Sequence, residues 1–172
     1  MTNKVWYWFL LVFILMSCNQ KQNNTSKEGQ IVPKKNMEIT TQQGIITKKS
    51  TKNFEETYNS LIKIITNNPN LKIIAELDHQ NNAGSVGLDL RPTRIVLFGN
   101  PRLGTPLMQN SQTTGLDLPQ KILVWQDSDD NINISYNNPA YLQKRHEITG
   151  NEEILKKVSG ALDNITNGAA GL

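Results

Sequence analysis

Thiol and imidazole are nearly missing from this chain: 172 residues carry one cysteine and two histidines. Disulfide frameworks and Cys-x-x-Cys metal sites are thereby excluded. There is no Gly-x-Gly-x-x-Gly, no Gly-x-x-x-x-Gly-Lys-Ser/Thr and no Cys-x-x-Cys-His, so neither a phosphate cradle nor covalent haem is supported. Charge of one sign is also scarce. Eighteen basic residues against fifteen acidic give +3, mostly from scattered lysines, and no nucleic-acid partner is expected. Nor is there an apolar run of the roughly 20 residues that span a bilayer.

The nearest approach is Val5 to Met16, preceded by Lys4 and followed by Ser17-Cys18. Charged start, apolar stretch and cleavage site in that order read as a secretory signal. Leu15-Met16-Ser17-Cys18 resembles a bacterial lipobox, which implies cleavage between Ser17 and Cys18 and acyl chains such as palmitate on Cys18. Several acyl chains at about 0.8 kcal/mol per buried methylene hold a protein on a membrane without a spanning helix. Residues 1–17 are therefore expected to be a signal peptide and 18–40 a tether. The tether is rich in Asn, Gln, Ser, Thr and Lys, too polar to bury a core, with a reach of roughly 25 Å. The location implied is a bacterial cell envelope, outside the cytoplasm.

Residues 41–172 are expected to form one domain. Ile45, Ile46 and Thr47 suggest a strand. Phe54, Tyr58, Leu61, Ile62 and Ile65 form one helical stripe, with Asn53 as cap and Glu56 as its capping-box partner. Leu71, Ile73, Ala75 and Leu77 alternate as a half-buried strand. Thr93 to Phe98 is the next, followed by a turn-rich loop from Gly99 to Thr105. The link from Arg102 to Pro119 has no clear period. Lys121 to Gln126 and Asn131 to Tyr136 flank an acidic turn as a hairpin. Pro139 opens a short helix, and Ile154, Leu155, Val158, Leu162 and Ile165 mark a last one. The fold class predicted is α+β: a single, mainly antiparallel sheet with helices on one face, in the order β-α-β-β-β-β-α.

Longer motifs carry a resemblance. Leu-Asp-His at 77–79, Leu-Arg-Pro-Thr-Arg at 90–94, Phe-Gly-Asn-Pro at 98–101 and Gly-Thr-Pro-Leu-Met at 104–108 are similar to those of the domain of unknown function 302 family. So are Asp-Leu-Pro at 117–119 and Ser-Tyr-Asn-Asn-Pro-Ala-Tyr-Leu at 135–142. The resemblance runs over about residues 44–148. It implies a small α+β domain, alone or joined to other modules, and no settled activity or catalytic residues.

Candidate site residues come from the polar loops. Backbone N–H groups at Leu103, Gly104 and Thr105 suggest an anion nest, with Asn100 and Arg94, Arg91 or Arg102 beside it. His79 and His146, with Asp78 or Asp117, are the only zinc candidates, and their spacing matches no zinc motif. Ala83-Gly84-Ser85-Val86-Gly87 approaches a nucleophile elbow, with Asp117 and His146 in hydrolase order, but no strand runs directly into Ser85. The leading expectation is a non-catalytic module binding a small anionic ligand or an envelope protein through His79, Arg94, Asn100, Gly104, Thr105 and His146. The alternative is a small hydrolase using Ser85 or the His79/His146 pair. No cofactor or metal is expected, and a homodimer is compatible with the composition.

Overall fold

The computed structural model describes residues 39–42 and 44–172; the signal, Cys18 and most of the tether lie outside the described residues. Helix α1, Phe54–Thr66, starts where the sequence predicts, with the Asn53 side chain accepting from the Glu56 N–H at 2.9 Å. Its buried residues Phe54, Tyr58, Leu61 and Ile65 share one face. Helix α5, Glu152–Ala170, lays Val158, Leu162, Ile165 and Ala169 against the same core.

Beneath these helices lies a six-stranded sheet in the order β1-β2-β6-β5-β4-β3. Its strands are β1 Ile39–Gln42, β2 Ile45–Lys49, β3 Lys72–Asp78, β4 Thr93–Gly99, β5 Gln120–Gln126 and β6 Ile132–Asn137. Every neighbouring pair is antiparallel. Alternation sends Val96, Phe98, Ile122, Val124, Ile134 and Tyr136 into the helix-covered core. The class is thus α+β with an antiparallel sheet, as expected. Strand β3 carries a bulge between Ile73 and Ala75, and Ile74 there is 58% exposed. The bulge is why Ile74 breaks the alternation in the sequence.

Four short elements are additions to the expected order. Strand β1 extends pairing back to Ile39, inside the stretch assigned to the tether. Helix α2, His79–Gly84, occupies what reads as a polar connection, because Asp78 caps it by accepting from Asn81 N at 2.9 Å. Helix α3, Pro101–Asn110, and a 3-10 turn, Gln112–Leu116, replace the loop and the aperiodic link. Asn100 and Pro101 are start signals for a helix. Gly104 and Pro106 behind them mimic a turn cluster. Tertiary packing of Leu103 and Leu107 outweighs their poor helix propensity. The short helix expected at Pro139 is α4, Pro139–Arg145, capped by Asn138.

The β5–β6 hairpin is locked by one carboxylate. Asp127 accepts from the backbone N–H groups of Asp129 and Asn131 at 2.9 Å, and from the side chains of Asn131 and Asn133. Burial pushes its carboxyl up, but these bonds together outweigh that and hold it at about 2. A carboxyl depressed below its unfolded value near 3.9 stabilises the fold above that pH, and the contribution is lost as pH falls toward about 2. Asp127→Asn is therefore expected to flatten the stability–pH curve between about pH 4 and 2. Urea midpoints measured across that window check it.

Candidate functional site

Two ends of the sheet carry the candidate residues, and they are far apart. Strand β4 runs from Arg94 near one end to Gly99 at the other, about 17 Å at roughly 3.3 Å per residue.

At the first end sit His79 and Arg94. His79 is the first residue of α2. Arg94 is held on several sides: its Nε donates to Asp78 Oδ2 at 2.8 Å and its Nη1 to Glu55 Oε2 at 2.9 Å. Its guanidinium carbon stands 5.2 Å and 5.5 Å from the ring centres of Phe54 and Tyr58. Asp78 is held below the usual carboxylate range by the Asn81 N–H and then by Arg94. Burial, and next the hydrogen bond given to Glu76 Oε2 at 2.8 Å, push the Tyr58 hydroxyl well up. Arg94 is a knot joining α1, β3 and β4.

At the opposite end, Asn100 caps α3 by accepting from Arg102 N at 2.9 Å. The anion nest is absent: the N–H groups of Leu103 and Gly104 already donate to Asn100 O at 2.9 and 3.0 Å. Helix formation consumes them.

The same end places Asp117 and His146 together. His146 Nε2 lies 2.5 Å from Asp117 Oδ2, and its Nδ1 lies 3.1 Å from Thr113 Oγ1. Arg145 Nη1 stands 3.3 Å from Asp117 Oδ2. His146 is buried at the C-terminus of α4, so this cluster ties α4 to the 3-10 turn. Ser85 is not part of it. It lies beyond the Asp78 end of β3, exposed, with its Oγ donating to Asn82 O at 2.7 Å. The elbow reading fails, because Ser85 terminates α2 instead of joining a strand to a helix. Nor do His79 and His146 meet, since they belong to opposite ends of the sheet.

What does form a concave site is apolar. Between α3 and α5, over the start of β3 and the end of β4, lies a groove of about 310 Å³. Leu103, Leu107 and Met108 make one wall, and Val158, Ala161, Leu162 and Ile165 the other. Those four follow i, i+3, i+4, i+7 spacing, one face of a helix. Phe98 and Leu71 form the floor side, and Pro119 is also in the lining. Asn100, Gly104 and Thr105 are in its lining, whereas His79, Arg94 and His146 are not. Lys72 is the one titratable residue lining it. Such a surface can hold apolar matter and does not offer an acid–base pair. The wall residues are plain in the sequence as helical and core positions, but nothing in their spacing says that α3 and α5 stand apart.

The fold is an α+β domain, one antiparallel sheet with helices packed on one face. The chain belongs to the DUF302 family: the family model "Domain of unknown function DUF302" matches residues 46–165. It is similar to the crystal structure of an uncharacterized conserved protein DUF302 from Bacillus stearothermophilus. That match has a TM-score of 0.65 and 18% identity, and covers 73% of this chain and 98% of that one. It is also 36% identical over 102 residues to the fluoride-specific ion channel FluC 1 of Brucella suis, covering 59% of this chain and 40% of the relative. FluC 2 of Brucella melitensis matches over the same length at 36%, with 38% of the relative covered. The chain spans about two fifths of the length of these curated relatives. Among the described residues, no helix is long and apolar enough to cross a membrane.

Proposed function

We propose that this chain is an envelope lipoprotein, anchored through acyl chains on Cys18, whose DUF302 domain is a non-catalytic module for a small, largely apolar ligand. The observation that carries the binding reading is the groove between α3 and α5. It is lined by aliphatic and aromatic carbon with a few polar atoms at its rim, the make-up of small-molecule sites, and its volume falls at the lower end of their roughly 300–1,000 Å³ range. An apolar ligand fits this lining better than the small anion that the loop sequence suggests, because the nest N–H groups are spent inside α3. The relatives named as fluoride-specific channels are more than twice as long as the matched region. This supports reading the domain as a module that accompanies membrane-bound partners, not as a pore.

A naphthyl probe such as N-phenylnaphthylamine tests the groove. Saturable fluorescence enhancement is expected with the natural chain. Ala161→Phe, which fills the groove from α5, is expected to weaken it at least tenfold while leaving the circular dichroism and melting curve in place. Absence of saturation, or equal binding by the filled variant, sinks the groove reading. Anchoring is checked separately: Cys18→Ala is expected to release the protein into the soluble fraction, and undiminished membrane retention refutes it.

A further inference from the structure

The strands that turn Val96, Phe98, Ile122 and Val124 toward the helices must turn Ile95, Leu97, Leu123 and Trp125 the other way. Register aligns them into a continuous apolar field: Leu77 opposite Ile95, Ile95 opposite Leu123, and Ala75 opposite Leu97. None of the four joins a core cluster of the described residues, and Leu77 is 44% exposed. The polar atoms in the middle of this face are satisfied internally. Trp125 Nε1 donates to Ser135 Oγ at 2.8 Å, and Ser135 Oγ lies 2.8 Å from Thr47 Oγ1.

We propose that this open sheet face is the interface of a homodimer, a second copy packing sheet against sheet about a two-fold axis. Antiparallel sheets stack face to face about 10 Å apart with interdigitated side chains. Four inter-strand spacings, from β2 to β3, of about 4.8 Å by about 20 Å of strand give roughly 400 Å² in projection. Side-chain relief raises the accessible area above the projection, toward the roughly 800 Å² per partner of a standard interface. The field's strand residues carry no carboxylate; that of Asp127, just past β5, is tied to the Asn131 and Asn133 side chains at its edge. The field's charges are Lys49, at the end of β2, and Lys121, at the start of β5. The Lys121 ammonium donates to the Asp117 and Pro119 carbonyls at 3.1 Å, so it folds back from the face. Lys49 and Lys121 flank the apolar row at opposite ends, where a two-fold leaves both at the rim. A contiguous apolar field of this kind marks an interaction surface.

The Bacillus stearothermophilus chain is matched over 98% of its length, so the fold stands without other modules, and residues 39–172 can be measured alongside the chain from residue 19. Light scattering after gel filtration is expected to return twice the monomer mass for both. Leu77→Glu, at an exposed position, is expected to return the monomer mass with an unchanged melting curve, as is Leu123→Lys. Trp125 is the one tryptophan of residues 39–172. Its emission is expected to shift red on dilution in the natural sequence and to be concentration-independent in Leu77→Glu, a readout that survives if Leu123→Lys misfolds. A monomer at about 100 μM, a dimer that persists in Leu77→Glu, or a chain from residue 19 that is monomeric while 39–172 is dimeric, each overturns the proposal.

Discussion

Lys48→Ala is expected to lower the unfolding free energy by about 3 kcal/mol, at the low end of the 3–5 kcal/mol typical for breaking a buried charge pair. Lys48 is 0% exposed on β2, in the helix-facing row of the sheet, and its ammonium reaches up into α5. There Nζ is 2.6 Å from Asp163 Oδ1, 2.8 Å from Thr166 Oγ1, 2.7 Å from Asn167 Oδ1 and 3.1 Å from Asp163 O. The Tyr136 ring centre lies 5.7 Å away. An ammonium has three protons, so every one of them is used and the charge is neutralised. Truncation strands the Thr166 and Asn167 acceptors and empties the space of four methylenes. The low end applies because Asp163 is half exposed and regains water. Lys48→Met keeps the stem's volume and is expected to cost about half as much, since apolar replacements of buried ions are often tolerated. Urea unfolding followed by Trp125 fluorescence measures both. Equal losses for the two variants would show that the ammonium's bonds account for the whole effect and the packing of its stem for none of it.

Gly44→Ala is expected to cost about 2–6 kcal/mol, from two additive strains. Gly44 sits between β1 and β2 at φ +86°, where a non-glycine residue costs about 1–3 kcal/mol. Its missing Cβ would also fall on the root of the Tyr141 ring, at Cγ and Cδ1. Ring rotation cannot clear Cγ, so α4 or the turn must shift, which typically adds 1–3 kcal/mol. The turn has little slack, because Gly44 O accepts from Asn138 N at 2.7 Å, the residue that caps α4. Tyr141→Ala in the Gly44→Ala background is expected to restore part of the loss. If the double variant is no more stable than the single, the backbone strain accounts for the whole effect.

Much of this architecture is legible in residue order. The Phe54-to-Ile65 stripe, the alternation in β3, β5 and β6, and the Asp127 turn each obey one local period or one turn chemistry. Helix α3 was illegible for a physical reason: Gly104 and Pro106 are poor helix residues, and only the burial of Leu107 and contacts of Leu103 under the sheet end outweigh them. Strand β1 was missed because Thr40, Thr41 and Gln42 have no apolar alternation, and only the exposed edge of β2 recruits them. The candidate site was hardest to read. Asn100, Gly104 and Thr105 read as an anion nest, whereas they lie in the lining of the groove between α3 and α5. Arg94 and His146 are spent in side-chain clusters that no spacing reveals.

By itself the sequence determined most of the core helices and strands and the one-sided layering of the sheet, because these follow from local periodicity. Only the tertiary structure decided where the cavity lies, which histidine meets which carboxylate, and which sheet face stays uncovered. Those depend on residues distant in the chain, such as Lys48 with Asp163 or Asp117 with His146. Their meeting is set by the packing of whole elements, which no local period encodes.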